Sequence, residues 1–396
     1  MKRYLILSLT IATLGMLSCG GTTENGSAQK DTAIADTVTK KKVETPSFDP
    51  KYNDYARFIA GLSSNAGSSM AKYDSVKQVK EHAVQFGKRW DEMEKNRLSV
   101  MRKWAKEELY PKVDESLNTF YPFSGPDFLH VVQFYPNSKK YLFLANEMVG
   151  SVPEFDKMTR PQVLNYLNSI EKALGDIFRR SYFITSYMGS QIPAVKGVVP
   201  VFMVFFARTG HDLMNVELIT LDAAGKTVPR SQNPKGISGV RFTFCPTGKN
   251  DDVRTLEYFN TDISNVGTSG KGGLKARPEM VKHIEDFGKA NTFVKAASYL
   301  LHYETFSTIK DLTQAKSVSL LQDDTGIPYR FLAKDFNYFL YGKYTIPVKN
   351  FSASGHYQKD LAKQYADSTK VKTLPFSLGY HWQDQNQNYM LFVRKP

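Results

Sequence analysis

The apolar residues Val76, Val79, Ala83, Phe86, Trp90, Met93, Val100 and Trp104 recur at steps of three and four, interrupted once by Arg97. That spacing lines them along one helical face and predicts a long amphipathic helix over residues 76–109. Pro111 ends it, because proline lacks a backbone donor and disfavours helical geometry in the residue before it. The stripe suits a helix lying on its own domain better than a coiled coil, and Arg97 within it is expected to snorkel or meet a carboxylate. A short helix is read at residues 52–62, and residues 159–180 repeat the helical spacing through Val163, Leu167, Ile170, Leu174 and Ile177. A further helical block covers residues 278–316, broken near Thr305, and a last helix covers 357–365.

Between these blocks lie short runs of β character: FLHVVQFY, KKYLFLAN, VPVFMVFFA, LMNVELITL, GVRFTF and VRTLEYFNTDI, then SVSLLQDD, FNYFLYGKYTIPV, LPFSLGYHW and NYMLFVRK near the end. The turn-like segments RTGHD, DAAGKT and PTGKNDD join the middle four runs and predict an antiparallel meander. Residues 198–207, apolar nearly throughout, predict a central strand covered on both faces. The expected fold is α+β: a mostly antiparallel sheet with helices packed on one side and a long N-terminal amphipathic helix. Residues 51–396 read as a single domain, with 51–111 as a helical lobe of it.

The N-terminus changes the picture from a free globule to an anchored one. Lys2 and Arg3 precede an apolar run from Leu5 to Leu17, the profile of an export signal and too short for a membrane span. The residues Met16-Leu17-Ser18-Cys19 resemble the lipobox of bacterial lipoproteins. That resemblance implies cleavage after residue 18, lipidation at Cys19 and a membrane as the first partner of the mature chain. More than one acyl chain makes such attachment stable. Residues 19–50 are rich in Thr, Gly, Lys and Asp, cannot bury enough apolar surface to order themselves, and read as a disordered tether. The expected location is the bacterial cell envelope, at the outer membrane facing the periplasm.

Charge and cysteine content narrow the field further. The formal charge of +13 falls by two, to +11, when Lys2 and Arg3 leave with the signal. The positive residues are scattered, so the charge reads as solvation of an exported surface and not as a nucleic-acid footprint. With Cys19 acylated, Cys245 is the remaining cysteine, so no intramolecular disulfide forms, and its setting in VRFTFCP reads as a buried small hydrophobe.

Candidate chemistry is sparse. FYPFSGPDFLHVVQFYP holds Asp127 and His130, but as a strand from Phe128 onward it would point those two side chains to opposite faces. His130 then reads as a core histidine. Asp323 and Asp324 in LLQDDTGIPYR end a strand and suit either a hard cation or acid–base work; the preferred reading is an Asx-type turn holding Gly326 at positive φ. Ser69-Met70-Ala71-Lys72 fits a Ser-x-x-Lys pattern without the companion motifs that would support it. NVGTSGKGGLK lacks phosphate-loop spacing, and His211 reads as a hairpin-tip residue. The seven histidines never fall at metal-ligand spacing, so no metal and no cofactor is expected.

Two functional classes stand. One is a non-enzymatic binding or assembly factor whose sheet face or long helix meets another envelope protein or a glycan. The other is an envelope hydrolase or transferase built on Asp127, His130, Asp323 and Asp324. The first is preferred, because no nucleophile–base or metal spacing is present.

Overall fold

The computed structural model describes residues 48–183, 195–267, 272–351, 355–381 and 386–396. The signal segment, Cys19 and the tether up to residue 47 lie outside them. Among the described residues, eleven strands build one sheet: β1 (Thr119–Pro122), β2 (Lys140–Ala145), β3 (His211–Leu221), β4 (Thr227–Pro229), β5 (Ser238–Pro246), β6 (Arg254–Asn260), β7 (Ala290–Val294), β8 (Ser317–Gln322), β9 (Phe336–Gly342), β10 (Val371–Lys372) and β11 (Asn388–Arg394). Their spatial order is β10-β9-β11-β8-β7-β1-β2-β6-β5-β3-β4.

The fold is α+β, but the sheet is mixed where a mostly antiparallel one was expected. The five central strands β8, β7, β1, β2 and β6 run parallel. β5, β3 and β4 continue antiparallel from β6, and β11 and β9 from β8. Parallel neighbours need long crossovers, and helices supply them here. Phe128–Phe134 lies between β1 and β2, Pro278–Asp286 between β6 and β7, and Ser307–Lys316 between β7 and β8. Two segments depart from the sequence expectation and make this topology: FLHVVQFY holds the first of those helices, and the block at 278–316 contains strand β7.

Helices cover both faces of the sheet, correcting the expectation of one. Alternation sends Tyr121, Phe143 and Leu321 into a core with Phe86, Trp90, Phe134 and Phe202. Their chain neighbours Phe120, Leu142 and Leu320 face the other way, toward Met280, Ile284, Ile309 and Leu361. The segment expected as a central strand at 198–207 is instead the helix Val199–Arg208, with Val199 through Phe206 all buried. An apolar run this short has no period that separates a buried strand from a fully buried helix, and Pro200 in its first turn favours the helix.

The N-terminal helical run Lys77–Met93 continues through a π turn at Glu94–Leu98, Ser99–Trp104, and a second π turn at Ala105–Leu109. Its buried residues Phe86, Trp90, Met93, Leu98, Met101 and Trp104 belong to the first core. Arg97 meets carbonyls where a carboxylate was one expectation: its guanidinium donates to the oxygens of Ile177 and Phe178. β3, β5 and β6 form the meander read from the sequence, though RTGHD joins a helix to β3, so His211 opens a strand and is buried. Cys245 is buried in β5.

This topology places a site. From β1 the chain moves to β2 and later β6 on one side, then returns to β7 and β8 on the other. The carboxyl ends of β1 and β7 therefore flank a switch point, where loops diverge and leave a crevice.

Candidate functional site

The loop after β1 turns at Gly125-Pro126, and Asp127 caps the helix Phe128–Phe134, its Oδ1 accepting the His130 amide at 3.2 Å. A capping residue and the third helical residue lie on one side of the first turn, so the same oxygen meets His130 Nδ1 at 2.7 Å. The expected separation of the two side chains is thus reversed by the switch from strand to helix. Lys295, the residue after β7, completes the cluster. Its ammonium donates to Asp127 Oδ2 and to the Ser181 carbonyl at 2.7 Å, and lies 3.2 Å from His130 Nδ1. Tyr121 OH donates to Asp127 Oδ2 at 3.2 Å.

Burial and charge set the protonation of this cluster. Burial alone would raise Asp127, but His130 and Lys295 outweigh it and hold the carboxyl at about 2. Burial lowers His130 to about 4, with Lys295 and Arg97 reinforcing it against the pull of Asp127. At neutral pH the imidazole is therefore uncharged and gives Asp127 its Nδ1–H, while Lys295 supplies the counter-charge. His130 Nε2 is buried without a hydrogen-bond partner. Burial pulls the Lys295 ammonium below its ordinary range, and Asp127 opposes that pull.

Asp323 and Asp324 follow β8. Asp323 forms the expected Asx-type turn, its Oδ1 accepting the Thr325 amide at 3.0 Å and the Thr325 hydroxyl, while Oδ2 accepts the Ala296 amide at 2.9 Å. Gly326, expected at positive φ, is not there; a Cβ at that position would meet Gln322 Oε1 at 2.2 Å. Asp324 accepts from Tyr299 OH, from His381 Nε2 at 3.0 Å and from Asn388 Nδ2 at 3.0 Å. Burial and the neighbouring Asp324 push Asp323 up to about 6. Gly379, at φ +72°, crosses this point: a Cβ there would lie 2.8 Å from Asp323 Oδ2 and 3.6 Å from Lys295 Cγ. Lys295 thus stands between the two acidic positions, one on each side of the β1/β7 switch point.

Above Asp127 and Lys295 opens a cavity of about 280 Å³, walled by Tyr121, Phe123, Tyr182, Phe306 and Tyr380. Ser298 adds a hydroxyl to the wall, 2.6 Å from Tyr380 OH. His130, Asp323 and Asp324 are not on the wall; His130 meets Asp127 from behind, and Asp323 holds the Ala296 amide next to Lys295. Five non-glycine residues at this edge of the sheet have positive φ: Phe123, Ser181, Ala296, Ser298 and Tyr299. Each such backbone costs on the order of 1 kcal/mol or more and persists only where its surroundings hold it, a pattern common at ligand sites. A larger groove of about 820 Å³ runs past Arg89, Asn96 and Lys172. It is an open surface feature, whereas the smaller cavity is where buried titratable groups meet.

Comparison with known proteins finds no family model, no curated relative and no solved structure that matches the chain. Among the site residues, Lys295, Ser298, Tyr299 and His381 escaped the sequence reading. The one signal for Lys295 is a lone cation inside the apolar run TFVKAAS, where an unpaired charge has no place and so implies a buried partner.

Proposed function

We propose that the chain is a lipid-anchored protein of the bacterial cell envelope, tethered through Cys19, whose globular part binds a small molecule in the cavity between β1 and β7. The observation that carries this reading is the aromatic cavity at the switch point with an ion pair, Asp127–Lys295, in its wall. Binding through a pocket fits better than docking through the sheet or the long helix, because the chain's own helices cover both sheet faces and the helix stripe packs into the first core. Binding also fits better than hydrolysis or transfer by the four sequence candidates. Asp323 and Asp324 are engaged in turn and side-chain hydrogen bonds, and the Ser298 hydroxyl meets a phenol that burial pushes up to about 12, a donor and not a base at neutral pH.

Two measurements test the reading. Cys19→Ser should move the protein from the membrane to the soluble fraction. Native mass spectrometry of the full chain, extracted from its membrane, should find a small molecule bound to the wild type and lost in Leu300→Trp, which enlarges a half-buried cavity residue. Unliganded protein in both preparations would count against it.

A further inference from the structure

We propose that Lys295 is a carbonyl-capturing amine, and that the cavity takes a small aldehyde or ketone and holds it as a Schiff base on Nζ. This rests on the small-molecule reading of the cavity and adds the chemistry of the ligand. A lysine whose only task was to balance Asp127 would not need to reach a cavity wall, yet Lys295 and its carboxylate partner both do.

The surroundings suit an amine that changes protonation state. Asp127 also receives Tyr121 OH, the His130 amide and His130 Nδ1. It therefore stays hydrogen-bonded when Lys295 gives up a proton. Burial favours the free amine, and Arg97 adds to that preference. The Ser298 and Tyr380 hydroxyls on the same wall bond each other, which leaves one hydroxyl proton of the pair for a carbonyl oxygen.

The step balances without a co-reactant. The ammonium gives one proton to solvent in the cavity, and the amine adds to the carbonyl carbon. A carbon–nitrogen bond forms as a nitrogen proton moves to the carbonyl oxygen, giving a carbinolamine. Loss of its hydroxyl with the second nitrogen proton releases water and leaves the imine. Solvent returns a proton to the imine nitrogen, where Asp127 pairs with the cation, so the net change is ammonium plus carbonyl to iminium plus water.

The test treats the detergent-extracted full chain with glyceraldehyde and cyanoborohydride at pH 7, followed by peptide mapping. The first reduced adduct should map to Lys295, forming at least about tenfold faster than on an exposed lysine such as Lys249, because free amine is the reacting form. Its rate should also level off at a pH below the ordinary range of a lysine ammonium. Lys295→Arg should remove this adduct and leave the slow surface ones. Adducts on exposed lysines with Lys295 unmodified would overturn the proposal. If that occurs while Leu300→Trp still abolishes a native bound molecule, only the covalent step falls; if both fail, the binding reading falls as well.

Discussion

Asp127→Ala is expected to destabilise the fold by about 3–5 kcal/mol, the range for removing one partner of a buried ion pair. The loss has several sources at one residue. Lys295 is left with the Ser181 carbonyl and His130 Nδ1 as its close partners, and no carboxylate. Tyr121 OH and His130 Nδ1 lose their acceptor, and the helix Phe128–Phe134 loses its cap. Because much of the cost is the stranded ammonium, Lys295→Met added to Asp127→Ala should restore part of it. Urea unfolding of wild type, both single variants and the double variant measures the coupling. A single-variant loss below about 1 kcal/mol would show that the pair is solvated and not buried. The same pair predicts acid sensitivity: with Asp127 held at about 2 against about 3.9 unfolded, its contribution is complete above pH 3.9 and lost as pH falls toward 2.

Acid should weaken the protein well before that. His130, His211 and His302 are each held at about 4 by burial, against about 6.5 in the unfolded chain. As pH falls from 6.5 to 4, the unfolded chain takes up protons that the native histidines refuse, so stability falls. Each histidine contributes up to about 3 kcal/mol of that decline. Asp323 acts in the opposite sense. Raised to about 6, it protonates in the native state first and adds stability as pH drops from 6 to 3.9. Three groups against one leaves a net loss of several kcal/mol between pH 6.5 and 4. Urea midpoints at pH 7, 5.5 and 4.5 should decline steadily, and His302→Asn should flatten the slope. Stability that holds level or rises over that range would refute the buried-neutral assignment.

What the sequence disclosed, and what it hid, follow from which periods are local. The long helical stripe was legible because Phe86, Trp90, Met93 and Trp104 repeat over many turns. β2, β8, β9 and β11 were legible as isolated apolar runs. The site residues Asp127 and His130 were visible, but their geometry was inverted: three residues apart means opposite faces on a strand and one face on a helical turn. Seven residues, five of them apolar, do not distinguish the two, although an aspartate directly before them is a helix-start signal. The parallel centre of the sheet was hidden because β7 is only five residues long and sits between two helices. Lys295 had one local signal, a lone cation in an apolar run, and nothing local to name its partner. Its meaning comes from Asp127, 168 residues away, and only the order of the central strands brings the two together.

The central claim is that an Asp127–Lys295 pair at the β1/β7 switch point forms part of a cavity that holds a small molecule. An electron-density map of the full chain, crystallised after mild extraction from its native membrane, addresses it directly. Non-protein density is expected between Tyr380, Phe306 and Lys295, continuous with Nζ where the carbonyl is captured. A cavity closed by the aromatic side chains, with Lys295 sealed from it, would contradict the account.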